Sequence, residues 1–95
     1  MTTIDRAESA MGHRVRALRD ERGIGQADLA AALTALGLPT SARVLCDVEK
    51  GRRGLRAIEV VTIARALNIT IAAFFDGIDR SSARASRDRS GAGAR

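Results

Sequence analysis

Glycine and proline residues divide most of this sequence into short segments in which apolar residues recur at helical spacing. Gly23, Gly37 and Gly51 each follow such a segment, where glycine commonly ends a helix, and Pro39 blocks continuation of the second segment. No segment of useful length alternates apolar and polar residues as a strand does. Because short helices are stable chiefly when an apolar face packs against a neighbour, the sequence predicts an all-α domain.

Five helices are predicted from this spacing and from residues that favour helix ends. They cover about residues 5–22, 26–36, 41–50 and 56–67, with a fifth that begins after Thr70. Ser41 and Thr70 are the expected N-caps of the third and fifth helices, and Asn68 ends the fourth. Aromatic residues make up only 2% of the chain, so the core is expected to be mostly aliphatic. The stripes expected to be buried include Leu36 in the second helix and Ile71, Phe74 and Phe75 in the fifth.

The chain of 95 residues has room for one compact domain and a tail, which excludes a multidomain enzyme. Residues 1–10 are expected to form an N-terminal arm or an extension of the first helix, and residues 11–76 the folded domain. Residues 77–95 are rich in Ser, Gly, Ala and Arg, with Ile78 as their single large apolar residue. This composition predicts a disordered basic tail.

The charge of the chain favours a polyanionic partner, since the net charge is +5. Its distribution is uneven. Residues 1–76 carry 11 Lys or Arg against 9 Asp or Glu, whereas residues 77–95 carry 5 against 2. The tail is therefore expected to be either an accessory arm that adds salt-sensitive affinity for phosphates or simply a disordered end.

Several functional classes are not expected. A single Cys cannot form an internal disulfide, no apolar run approaches the roughly 20 residues of a membrane span, and the N-terminus lacks a secretory pattern. A cytoplasmic protein is therefore expected. His13 is the one His and has no cluster of ligands around it, so neither a metal nor another cofactor is expected. The sequence shows no pairing of nucleophile and base, and enzymatic activity is not expected.

Three runs of the chain carry a resemblance to a known family: GHRVRALRDERGIGQADLAAAL, SARVLCDVEKGRR and VVTIARALNITIAAFF. Together they span residues 12–75 and resemble the lambda-repressor-like (Cro and Xre) helix-turn-helix domain. The resemblance implies a five-helix fold that binds double-stranded DNA as a transcriptional regulator. The run TALGLPT makes the turn before Ser41 longer than is usual in that family, and Gly25 replaces the usual Ser or Thr N-cap. The chain thus looks like a longer-turn variant.

The third helix is predicted to read DNA, because a helix fits the major groove and its first residues point away from the core. Arg43 is the leading base reader, since its guanidinium can fork onto guanine O6 and N7, with contact to a phosphate or to solvent as the alternative. Asp47 is expected to pair with Arg43, one turn earlier on the same face, or to accept from cytosine. Cys46 is expected to be a small residue that fits the groove, with a thiol switch as the alternative. Ala42 can meet a thymine methyl or merely pack, and Ser41 completes the set of groove residues.

Contacts with DNA phosphates are predicted at two further places. Gln26 begins the second helix, where free N–H groups and the helix dipole attract an anion, and the resemblance assigns Gln26 the same role. A basic edge after the third helix, defined as Lys50, Arg52, Arg53 and Arg56, suits the flanking phosphates. The resemblance also implies an interior ion pair between Arg19 and Glu49, which has a structural role.

A homodimer is expected because a single helix reads only a few base pairs, and a two-fold pair reads two half-sites. The expected dimer surface lies around the fifth helix, with Ile69, Ile71, Ile78 and the two Phe residues. The function expected is repression of transcription at a roughly palindromic site, from a nucleoid-associated position. The alternative is a protein-interaction module, such as an antitoxin or an adaptor, with the same fold.

Overall fold

The computed structural model describes the backbone of residues 3–78 and the side chains from residue 6 onward. Five α-helices, and no strands, make up the regular structure of these residues: α1 (Thr3–Glu21), α2 (Gln26–Ala35), α3 (Ala42–Glu49), α4 (Ala57–Ala66) and α5 (Ile71–Asp76). The predicted all-α, five-helix class is confirmed. The tail was predicted for residues 77–95, and its residues from 79 onward lie outside the described part of the chain.

The helix ends follow the local chemistry of the sequence. Gly23 and Gly51 adopt φ values of 65° and 76°, in the left-handed region that glycine enters without a steric penalty. Ser41 caps α3 and Thr70 caps α5, each side-chain oxygen accepting the backbone N–H of the residue three positions on. Asn68 closes α4 with φ 57°, a conformation that Asn tolerates better than most side chains.

The core is aliphatic apart from one aromatic ring, and all five helices contribute to it. α1 packs on α3, α2 packs on α3 and α4, and α4 packs on α5. The fully buried cluster comprises Val15, Leu18, Leu29, Ala30, Leu33, Leu45, Val60, Ile63, Leu67 and Phe74. The α2–turn–α3 unit therefore packs against α1 and α4, and α4 in turn packs against α5.

Three residues that were predicted to be buried are exposed. Leu36 is 46% exposed because it lies just beyond the last turn of α2. Ile71 and Phe75 are 44% and 47% exposed. They lie four residues apart on one face of the six-residue α5, whereas Phe74 fills the core and contacts the Phe75 ring edge-on. The prediction that both Phe residues are core was thus wrong for Phe75.

Described residues on both sides of residues 11–76 continue the folded domain. α1 begins at Thr3, so residues 3–10 are helical and continuous with the first helix. At the other end, Gly77 is buried and Ile78 packs against the core, two residues beyond the expected boundary at residue 76.

Arg14 of α1 and Arg22, which directly follows α1, bind the C-terminal ends of other helices. The Arg14 guanidinium donates to the carbonyls of Ala73 and Phe74, at 2.9 Å each, in the last turn of α5. Arg22 donates to the carbonyl of Leu67, at 3.2 Å, at the end of α4. Cations at a helix C-terminus satisfy carbonyls that have no partner in the helix and interact favourably with its dipole. Part of the arginine content of this chain is therefore structural.

Candidate nucleic-acid interface

α3 presents one buried face and one open face. Leu45, Val48 and Glu49 are buried, whereas Arg43 is exposed and Cys46 is partly exposed. The remaining predicted groove residues also lie on the open side of the helix: Ser41 is exposed, and Ala42 and Asp47 are partly exposed. The structure thus brings the predicted groove residues of α3 together on one surface.

Arg43 has no partner among the described side chains, and the expected pair with Asp47 is not formed. Asp47 instead lies 4.0 Å from the guanidinium of Arg52. The turn after α3 causes this change, because the Arg52 backbone N–H donates to the Asp47 carbonyl at 2.9 Å and brings the two residues together. The ion pair is long and largely solvated, so it constrains Arg52 little. The guanidinium of Arg43 is left available to a ligand.

Arg19 and Glu49 form the ion pair that the resemblance implied, at the centre of a larger network. Nε and Nη2 of Arg19 donate to the two carboxylate oxygens of Glu49, at 2.8 and 2.9 Å. Arg19 also donates to the Ile24 carbonyl, in the turn before α2, at 2.8 Å. The hydrogen bonds to Glu49 raise the pKa of Arg19 above its ordinary value, against the opposing effect of burial. The pair therefore joins α1, the turn before α2 and the end of α3.

The Gln26 side chain belongs to the same network, which the sequence reasoning did not foresee. Its Nε2 donates to Glu49 Oε1 at 3.1 Å. Gln26 is the first residue of α2 and remains partly exposed. The preceding Gly25 offers no capping oxygen, but its own N–H donates to the Asp28 carboxylate at 3.0 Å. The start of α2 is thus ordered by side chains from two helices.

The basic edge is divided into an exposed part and a part that is bound to Glu59. Lys50 and Arg52 are exposed, whereas Arg53 donates to both carboxylate oxygens of Glu59, at 3.3 and 2.9 Å. Arg56 lies 3.6 Å from the same carboxylate and donates its backbone N–H to it at 2.7 Å. The Glu59 carboxylate therefore partly neutralises two of the four basic residues of the edge, Arg53 and Arg56.

Glu59 is the acidic residue that the sequence reasoning missed at this edge. It is buried at the third position of α4, and burial acts to raise its pKa. The hydrogen bonds and positive charges of Arg53 and Arg56 outweigh burial, so the pKa lies below the ordinary value of 4.5. The spacing from Arg56 to Glu59, in which the carboxylate reaches back to the N-cap N–H, was the signal available in the sequence.

Metal binding would need a cluster of ligands, and a membrane span a long apolar helix, in the described part of the chain. No group of three or more His, Cys, Asp or Glu side chains within it has the arrangement to hold a metal ion. None of its helices is both long and apolar enough to cross a bilayer.

Comparison with known proteins identifies the fold. No protein-family model matches the chain, and no curated protein matches it. Among solved structures, the chain is similar to the crystal structure of the clp gene regulator ClgR from C. glutamicum, with a TM-score of 0.68. The sequences are 23% identical, and the match covers 78% of this chain and 90% of that one. The fold is a helix-turn-helix fold. In it, α2 and α3 are the two helices of the motif.

Proposed function

We propose that this protein is a sequence-specific DNA-binding regulator of transcription that reads the major groove with α3. The observation that carries the proposal is the state of Arg43: it is exposed near the start of α3, and no described side chain pairs with it. A free guanidinium at this position can donate two parallel hydrogen bonds to guanine. The likeness of the fold to that of a gene regulator supports the same function.

The surrounding residues are proposed to hold α3 in the groove. Gln26 at the start of α2, and Lys50 and Arg52 after α3, would contact phosphates on the two sides of the groove. Arg53 and Arg56 would contribute less than their number suggests, because both share the Glu59 carboxylate. Ser41, Ala42, Cys46 and Asp47 complete the proposed groove surface.

The proposed assembly is a homodimer that represses transcription by occupying a palindromic site. Ile71 and Phe75 form an exposed apolar face on α5, which the core does not use. Burial of such a face between two copies is favourable, and two-fold symmetry places one α3 in each half-site. Phe75→Ser should therefore produce a folded monomer with weaker DNA binding. A variant that remains dimeric in analytical ultracentrifugation would exclude this face.

Selection of DNA from a random double-stranded library tests the function directly. The expected result is an enriched two-fold motif for the wild-type protein and loss of its guanine preference in Arg43→Ala. Selection at two salt concentrations separates the motif from charge-driven binding, which weakens steeply with salt and carries no sequence preference. Absence of any enriched motif would exclude a sequence-specific regulator.

The alternative function, a protein-interaction module, is favoured by the same exposed Ile71 and Phe75. An antitoxin or adaptor would use this apolar face on a different protein and would not need a free Arg43. The two functions differ in one measurable way. The regulator should bind its DNA motif in purified form, whereas the interaction module should show only salt-sensitive binding without sequence preference.

A further inference from the structure

The Glu49 carboxylate holds two side chains that come from different helices. It accepts two hydrogen bonds from Arg19 of α1 and a third from Gln26 of α2, and the Glu49 side chain is only 4% exposed. Gln26 is the residue proposed to contact a phosphate, whereas Glu49 is shielded from solvent and from any ligand. The network therefore connects a surface group to an interior one.

We propose that Glu49 is a positioning residue that fixes the Gln26 carboxamide with its NH₂ group in place for a DNA phosphate. This inference rests on the function proposed above. An amide NH₂ carries two hydrogens, and Glu49 accepts only one of them. If the carboxamide rotated by half a turn, its oxygen would take the place of the NH₂ group. That oxygen accepts hydrogen bonds and would repel a phosphate. The carboxylate excludes that orientation, because it offers no donor to the amide oxygen.

Arg19 makes this arrangement compatible with an approaching phosphate. Its guanidinium neutralises the Glu49 carboxylate through two parallel bonds, so that the pair adds no net negative charge beneath Gln26. The bond from Arg19 to Ile24 holds the turn that leads into α2. The network consequently fixes the distance between the start of α2, which would contact the phosphate, and α3, which would contact the bases.

The test replaces single phosphates of the selected DNA site with uncharged methylphosphonates. With the wild-type protein, one replacement in each half-site should weaken binding roughly tenfold, the factor that corresponds to the loss of one hydrogen bond to a charged group. Gln26→Ala identifies that phosphate, because the variant should lose most of its sensitivity to the replacement, whereas the backbone N–H groups at the start of α2 retain the remainder. Glu49→Gln should lose most of the same sensitivity although Gln26 is still present.

Glu59→Gln is the matched control for this experiment. Glu59 is also a buried carboxylate that accepts two hydrogen bonds from an arginine, but it has no contact with Gln26. The control should keep the wild-type sensitivity at the phosphate that Gln26 contacts. If Glu49→Gln kept it as well, the positioning role would be excluded. Failure of the wild-type protein to select any motif would instead refute the proposed function itself.

A second measurement needs neither DNA nor a variant. Gln26 is the one Gln of the sequence and Asn68 the one Asn, so the spectrum of ¹⁵N-labelled protein contains two carboxamide NH₂ groups. Asn68 is exposed at the end of α4 and serves as the internal reference. Gln26 Nε2 should show a much higher heteronuclear Overhauser effect than Asn68 Nδ2. Equal mobility of the two groups would overturn the proposal even if Glu49→Gln failed to fold.

Discussion

Gly12 marks the closest approach of two helices, and its replacement by alanine tests the packing of α1 on α3. Gly12 is buried in the middle of α1. An alanine Cβ there would overlap the carbonyl oxygen of Val48 and lie 3.3 Å from the Cα of Glu49. Both obstructing atoms are backbone, so no side chain can rotate away. The two helices must separate, and the Arg19–Glu49 pair lies in the same interface.

The expected magnitude is the difference between two opposing effects. Alanine favours a helix over glycine by about 1 kcal/mol. Overpacking typically costs about 1–3 kcal/mol, and a rigid backbone obstacle places Gly12→Ala at the upper end of that range. The net result should be a loss of about 2 kcal/mol in the free energy of unfolding. For a domain of this size, such a loss lowers the melting temperature by roughly 8–16 °C.

Urea unfolding followed by circular dichroism measures this loss, and Ala7→Gly provides the control. Ala7 is exposed on the same helix, so its replacement reports helix propensity alone and should cost about 1 kcal/mol. If propensity were the sole effect at Gly12, Gly12→Ala would stabilise the protein by a similar amount. A stabilised Gly12→Ala protein would therefore refute the proposed contact between α1 and α3.

Three further predictions concern the ion pairs and the helix ends. Glu49→Ala should lower the free energy of unfolding by about 3–5 kcal/mol in urea titrations, because it removes the main partner of the largely buried Arg19 guanidinium. Asp20→Ala removes only an exposed partner of the same arginine and should cost under about 1 kcal/mol, and equal losses for the two variants would contradict the dominant role of Glu49. Glu59 has a lowered pKa, so its contribution to stability is present above its ordinary pKa of 4.5 and is lost as the pH falls through its folded pKa. Below pH 4.5, the free energy of unfolding should therefore fall less steeply with decreasing pH in Glu59→Gln than in the wild-type protein. An unchanged pH dependence would exclude the pairing of Glu59 with Arg53 as a cause of acid sensitivity. Gly77→Ala should displace the Arg14 guanidinium, because that group occupies the space of the new Cβ. Without the cation at its C-terminus, α5 should exchange its amide hydrogens faster. Exchange protection of α5 equal to that of the wild-type protein would show that Arg14 does not stabilise that helix end.

The sequence was sufficient to predict those parts of the fold that depend on local chemistry. Ser41 and Thr70 cap their helices, and Gly23 and Gly51 end theirs, because each effect involves residues within one turn. The apolar stripes of α2 and α4 also predicted most of the core. In α5 the stripe was too short to decide which of two adjacent Phe residues faces inward, and Phe75 was misassigned.

What the sequence did not predict depends on residues that are distant along the chain. Gly12 lies within a helical pattern, and only the structure shows that the Val48 carbonyl lies against it. The bonds from Arg14 to the end of α5 join residues about sixty positions apart. For the site, the exposed face of α3 followed from helical spacing. The hydrogen bond from Gln26 to Glu49 depends on the angle between α2 and α3, which no local pattern encodes.

The proposed contact between Arg43 and guanine N7 can be removed by a single atom change in the DNA, with 7-deazaguanine in place of guanine. This base lacks the N7 acceptor but keeps its pairing, so a two-bond contact becomes a one-bond contact. At the guanine that Arg43 reads, the substitution should weaken wild-type binding by about 1 kcal/mol or more, roughly fivefold to tenfold, and should leave Arg43→Ala unaffected. Equal losses for the two proteins, or no loss at any guanine of the site, would contradict major-groove reading by α3.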